Sequence, residues 1–152
     1  MRVFVDADNC AKDSRKIILK ACTRQNIQVF LVANRNIPIA NENVKFTMVI
    51  CNDEKDSADN YIVENTTASD IAITRDILLA ERLVNKKVFS LNDKGKIFTA
   101  ENIGDFLEQR KLSLQMKSLG ITNGTLGKGN TQAETSEFSK RFNEALSKLI
   151  TR

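Results

Sequence analysis

Short, continuously apolar runs punctuate the first two-thirds of the chain, at residues 2–6, 28–33, 46–50, 71–74 and 87–91. They are rich in β-branched and aromatic side chains and mostly lack polar alternation, so each needs cover on both faces, as a strand inside a layered sheet does. Between them the period lengthens. Residues 13–25 put Ile17, Ile18, Ala21 and Cys22 on one side of a helix, and 57–65 and 77–85 read as two more. This alternation predicts an α/β fold with a central, mostly parallel five-stranded sheet and helices on both faces. The stretch from Asn34 to Lys45 contains the only proline, Pro38, and reads as a connecting loop.

The last third changes character. Thr99 is a candidate N-cap for a helix over 100–117 with Ile103, Phe106, Leu107 and Leu114 as its apolar stripe. Residues 120–133 hold four of the six glycines and almost nothing apolar. The pattern divides the chain into an α/β domain over 1–118, a flexible Gly-rich loop over 119–133 and a C-terminal amphipathic helix over 134–152. That helix aligns Phe138, Phe142, Ala145, Leu146 and Leu149, and must dock on the domain or on a second subunit, making a homodimer.

Composition narrows the chemistry. At 152 residues and 41% apolar, the chain can bury one core. Cys10, Cys22 and Cys51 form no C-x-x-C pair and are odd in number, which excludes a disulfide framework and a four-thiolate zinc site. No apolar stretch approaches membrane-spanning length and no signal-peptide core precedes the first strand, so a cytoplasmic protein with no membrane partner is expected. The absence of histidine removes Ser-His and Cys-His nucleophile pairs. The net charge of +4 is spread evenly and decides little. A phosphate loop at Gly124–Gly129 fails, because Thr122 stands where glycine is required and Gly129 replaces Ser/Thr. Cys10 lacks an activating neighbour and reads as a small packed residue.

The acidic residues remain. The first strand ends in Asp6-Ala7-Asp8, a later one in Thr74-Arg75-Asp76, and Asp56 and Asp59 bracket a helix start that Ser57 could cap. With strand order 3-2-1-4-5, these positions meet beyond the carboxyl ends of the strands, at the switch point where ligands bind. Individually each reads as a turn or capping residue. Jointly they repel by several kcal/mol unless a cation is present: about 3 kcal/mol per pair ~5 Å apart at an effective dielectric of 20. Hard oxygen donors without His or Cys favour Mg²⁺ or Mn²⁺. Asn9, Asn34, Arg35, Asn60, Thr74 and Arg75 lie at the same edge as candidate orienting or phosphate-contacting residues, each with an alternative as a cap or a solvated side chain.

Several motifs occur together in order: Val5-Asp6-Ala7-Asp8 with Cys10, Leu31-Val32-Ala33-Asn34, Asp56-x-Ala58-Asp59-Asn60-x-Ile62-Val63, Asp70-x-x-Ile73-Thr74-x-Asp76 and Leu91-Asn92-x-x-Gly95. The set closely resembles the bacterial YaiI/YqxD family, which is similar to the PIN-like superfamily. The resemblance implies a PIN-like three-layer sandwich and carries Asp6, Asp8, Asp56, Asp59 and Asp76 over as candidate metal or catalytic positions. Ala11 and Leu78 stand where the family usually has proline, which deletes no ligand.

Three functions compete. The first is a Mg²⁺- or Mn²⁺-dependent nuclease, acting on RNA or another single-stranded nucleic acid. Its catalytic set is Asp6, Asp8, Asp59 and Asp76, and its metal set Asp6, Asp56, Asp59 and Asp76. The second is a haloacid-dehalogenase-like phosphatase with Asp6 as nucleophile, Asp8 as general acid, Thr74 as the strand-end hydroxyl and only Asp93 as a later acid. The third is a module that binds nucleic acid or a partner without cleaving it.

Overall fold

A computed structural model describes residues 1–40, 43–121 and 129–150. One sheet runs through the molecule in the order β3-β2-β1-β4-β5-β6. Its strands are β1 (Arg2–Asp6), β2 (Gln28–Ala33), β3 (Thr47–Ile50), β4 (Ile71–Ile73), β5 (Phe89–Leu91) and β6 (Ile97–Phe98). The first five are mutually parallel, in the expected order, and β6 returns antiparallel along β5. This sixth strand is two residues long and closes a tight turn through Gly95, too short to show in an apolar pattern.

Side-chain alternation along β1 divides the core. Val3 and Val5 point into a cluster with Ile18, Leu19 and Cys22 of α1 (Lys12–Arg24) and with Phe138, Phe142 and Leu146 of the C-terminal helix α5 (Gln132–Ile150). Phe4 points the other way, toward Ala58 and Ile62 of α2 (Ser57–Asn65) and Leu79 and Leu83 of α3 (Ile77–Asn85). The result is three layers, with α1 and α5 on one face, α2 and α3 on the other, and α4 (Ile103–Ser118) lying against α3. The fully buried Phe138 and Phe142 make α5 part of this chain's own core.

Local details depart from the sequence reading at helix ends. Asn102 holds the N-cap position of α4 without a side-chain cap bond, and Thr99 caps the turn just before it, its hydroxyl accepting Asn102 N–H while Asn102 Oδ1 accepts Thr99 N–H. The stripe Ile103, Phe106, Leu107 and Leu114 covers little, since no residue of α4 is buried; Phe106 packs edge-on against Phe98. Helix α4 stops in a Schellman turn, with Gly120 in the left-handed region, Gly120 N–H on Lys117 C=O and Ile121 N–H on Met116 C=O. Residues 122–128, the centre of the Gly-rich loop, lie outside the described residues. Helix α5 begins two residues before 134, because Thr131 and Glu134 form a reciprocal capping box. Gly95 has φ +93, and an added Cβ would come within 2.9 Å of Glu137 in α5, so glycine is what lets this turn meet that helix.

At the amino edge of the sheet, Asp70 accepts from the Arg2 backbone and guanidinium and from Thr67. Burial alone would raise its pKa, but those bonds outweigh it and hold the carboxyl below its ordinary value. This clamp ties the start of β1 to the start of β4, on the side away from the acidic crevice.

Candidate functional site

Parallel register sets the site at the carboxyl edge. Val5 pairs with Ile73, so the next residues out, Asp6 and Thr74, are neighbours, and the Thr74 hydroxyl donates to Asp6 Oδ2 at 2.7 Å. Asn9, in the 3₁₀ turn after β1 (Ala7–Asn9), donates to the same oxygen at 3.0 Å. Asp6 as a whole is 2% exposed, and both of its hydrogen bonds among the described residues fall on Oδ2, which leaves Oδ1 as the oxygen with solvent access. Burial raises the pKa of Asp6, Asp76 and Asp8 add to the rise, and the Thr74 and Asn9 bonds oppose it. This side chain is oriented on one oxygen and open on the other.

Asp76 occupies the N-cap of α3, where Oδ1 accepts from Leu78 and Leu79 N–H and Oδ2 takes no part in the cap. Its backbone N–H donates to Thr74 Oγ1, so Thr74 couples Asp76 to Asp6. Asp59 faces this pair from the first turn of α2. Its pKa is pushed up from 3.8 to about 7 by burial first, then by the charges of Asp76, Asp6 and Asp56, and its protonated form hydrogen-bonds Asp76. The α2 dipole favours the ionised form, but desolvation and three like charges overcome it.

Asp56 caps α2 by position alone, in the left-handed region at φ 63, with no side-chain cap bond. Ser57 is therefore the first helical residue, and its hydroxyl staples the loop by donating to Asn52 C=O at 2.7 Å. The left-handed backbone costs of order 1 kcal/mol or more, less for aspartate than for bulky residues, and leaves the Asp56 carboxylate exposed above Asp59.

The remaining candidates divide into rim and scaffold. Asp8 turns toward β2, accepting Asn34 N–H at 2.9 Å and lying 3.7 Å from the Arg35 guanidinium. Asn34 also receives the Ser57 hydroxyl at 3.4 Å, and Asn60 is exposed one residue beyond Asp59. Arg75 is not free for phosphate. Its guanidinium contacts both oxygens of Asp93 at 2.8 Å and donates to Asn130 Oδ1 at 3.0 Å. Asp93 is fully buried and also accepts Ala11 N–H at 2.6 Å, which makes it scaffold and not a reacting acid. Neither Asp93 nor Asn130 stood out in the sequence as a partner for Arg75. Cys10 is inert, its thiol pushed up to about 12 by burial and by Asp93.

Among the described residues, no three carboxylates or thiols are gathered tightly enough to hold an ion alone. Asp6, Asp56, Asp59 and Asp76 therefore do not form a closed four-carboxylate cage. The donor set still suits a cation that keeps several waters and takes one or two carboxylates directly, as Mg²⁺ does. Such an ion would engage the unbonded Asp6 Oδ1 and offset the mutual repulsion at Asp59.

A family model for the uncharacterised YaiI/YqxD family matches residues 4–152. The chain belongs to that family. Its YaiI/YqxD relatives include a UPF0178 protein of Treponema denticola, 36% identical over 99% of this chain and 94% of the relative. Another, from Trichlorobacter lovleyi, is 34% identical over 100% and 95%, and one from Pseudoalteromonas atlantica is 37% identical over 84% and 86%. No solved structure matches the chain. No helix among the described residues is long and apolar enough to cross a membrane.

The raised pKa of Asp59 has a direct consequence for stability. A carboxyl that holds its proton more tightly when folded favours the fold at low pH, and that contribution fades as pH rises from 3.8 through about 7. Asp59→Asn removes the titration. In EDTA the variant should match the natural chain near pH 4 and exceed it at pH 8 by about 1–2 kcal/mol, discounted because Asp59 is only half-buried. Urea midpoints at the two pH values check this.

Proposed function

We propose that this protein is a divalent-metal-dependent nuclease of PIN-like type, hydrolysing phosphodiester bonds in RNA or another single-stranded nucleic acid. The observation that carries the reading is the meeting of Asp6, Asp59 and Asp76 from three separate junctions at the sheet's switch point, with one oxygen of Asp6 left without a hydrogen bond among the described residues. Asp6, Asp59 and Asp76 would hold Mg²⁺ or Mn²⁺, partly through water, with Asp56 as an outer anion. Bound there, the dication supplies Lewis acidity and counter-charge for hydrolysis at phosphorus. Thr74 and Asn9 fix the rotamer of Asp6, and the α3 cap fixes Asp76. Asp8 holds the β2 exit so that Asn34 and Arg35 form the rim where substrate enters. A phosphatase with Asp6 as nucleophile is the weaker reading, because its one candidate later acid, Asp93, is spent on Arg75.

Thermal and urea unfolding with Mg²⁺, Mn²⁺ or Ca²⁺ titrated in test the site. For an affinity of about 100 µM, 10 mM ion adds roughly 2.7 kcal/mol to the natural chain by linkage. Asp6→Asn should lose that gain. An equal gain in both proteins, or none in either, refutes the metal centre at Asp6.

A further inference from the structure

We infer that the cleft between α1 and the β2–β3 connection is a track for the phosphate backbone of a single-stranded nucleic acid. The inference takes its polymer from the nuclease reading above and locates where that polymer is gripped. The cleft has a volume of about 730 Å³, and Lys12, Arg15, Lys16 and Lys20 line one wall. These four cations fall on one side of α1, and the row Lys12, Lys16, Lys20 repeats every four residues. None of the four makes an ion pair among the described residues. The one acid of α1, Asp13, stands at i, i+3 to Lys16 on the flank of the row, and forms no ion pair with it among the described residues. Four cations without an ion pair among the described residues, beside a concave surface, are a footprint for a polyanion.

The opposite wall chooses the kind of polyanion. Pro38, Ile39 and Val44 face Leu19 across the cleft, so apolar surface lies directly beside the charge. A free phosphate has nothing to offer that surface. Unpaired sugars and bases do, and in a duplex they are turned inward. The row from Lys12 to Lys20 is about 12 Å long, which suits one backbone and not the two of a duplex. No aromatic side chain lines the cleft among the described residues, so binding lacks a stacking platform there and should tolerate any sequence. Both walls spring from segments that carry the acidic edge: α1 starts three residues after Asn9, and the β2–β3 connection starts at Asn34 and Arg35. A strand lying in the cleft is thereby led to the carboxylates.

The test is fluorescence anisotropy of labelled 12-nucleotide RNA and DNA single strands with the full chain in EDTA, where cleavage is silent. Four neutralised phosphates predict a slope of log affinity on log salt of about −2.8, a weakening of roughly 50-fold between 50 and 200 mM KCl. The double variant Lys16→Ala/Lys20→Ala should halve that slope to about −1.4, while Lys111→Ala on α4 leaves it unchanged. Circular dichroism melting confirms that each variant folds. Absent binding, a slope indifferent to Lys16 and Lys20, equal affinity for duplex, or capture by phosphatidylserine vesicles in place of oligonucleotides each overturns the track. Salt-dependent binding without cleavage in Mn²⁺ supports the track and overturns the nuclease reading. Cleavage that survives with binding unaltered by the lysine variants does the reverse.

Discussion

Asp6→Asn lowers metal-dependent cleavage of single-stranded nucleic acid by a factor of about 10² to 10³ and leaves the protein folded. The magnitude is that of deleting one preorganised electrostatic group from a water-poor site, about 2.7–4 kcal/mol of barrier. The fold survives because asparagine keeps the shape and one acceptor oxygen, which the Thr74 hydroxyl can still engage. It also relieves a burial penalty, since Asp6 is buried and crowded by Asp76 and Asp8. Loss of activity and retained stability should therefore occur together in the same sample. Single-turnover cleavage in Mn²⁺ beside a urea melt in EDTA reads both. Cleavage within threefold of the natural chain would remove Asp6 from the chemistry. A drop in cleavage that merely tracks a collapsed melt would make it structural.

Much of the architecture follows from the sequence because continuous apolar runs and four-residue periods are local signals. Residues 57–65 and 77–85 occupy the anticipated helices, and the five parallel strands lie in the anticipated order. What the sequence conceals is register. Once Val5 pairs with Ile73 and Ile73 with Leu91, the residues just beyond the strands are assigned partners: Asp6 meets Thr74, and Arg75 meets Asp93. Nothing local marks Arg75 as scaffold, so a cation beside an acidic edge reads as a phosphate contact. Asp59 is the reverse case. Its helix-start position argues for a low pKa, and only the approach of Asp76, Asp6 and Asp56 from distant segments reverses the sign. The capping box at Thr131 and Glu134 was visible as T-x-x-E, but it lies beside a Gly-rich stretch where the polar composition dominates.

Asp93→Ala should cost about 3 kcal/mol, the low end for breaking a buried ion pair because the Arg75 side chain is 32% exposed and recovers some solvent. The loss is large because Asp93 ties together several separate parts of the chain. Its carboxylate receives Arg75 from the β4 exit and Ala11 N–H from the start of α1. Its carbonyl receives Ser14 of α1 and Asn130, which leads into α5. Alanine preserves the carbonyl bonds but orphans the Ala11 N–H and the guanidinium. For a domain near 150 residues, the loss corresponds to a fall in Tm of roughly 10 °C. Arg75→Met in the Asp93→Ala background should restore part of the loss, since the uncompensated charge and not the missing contact carries most of the cost. If Asp93→Ala is neutral in a urea melt, or Arg75→Met adds its full penalty on top, the pair does not couple the acidic edge to α5. The same cycle read in Mn²⁺-dependent cleavage tests a connected point. Ala11 lies two residues after Asn9, the end of the turn that carries Asp8, so loosening its anchor should disturb the Asn9 bond to Asp6 and lower activity even at temperatures where the variant is fully folded.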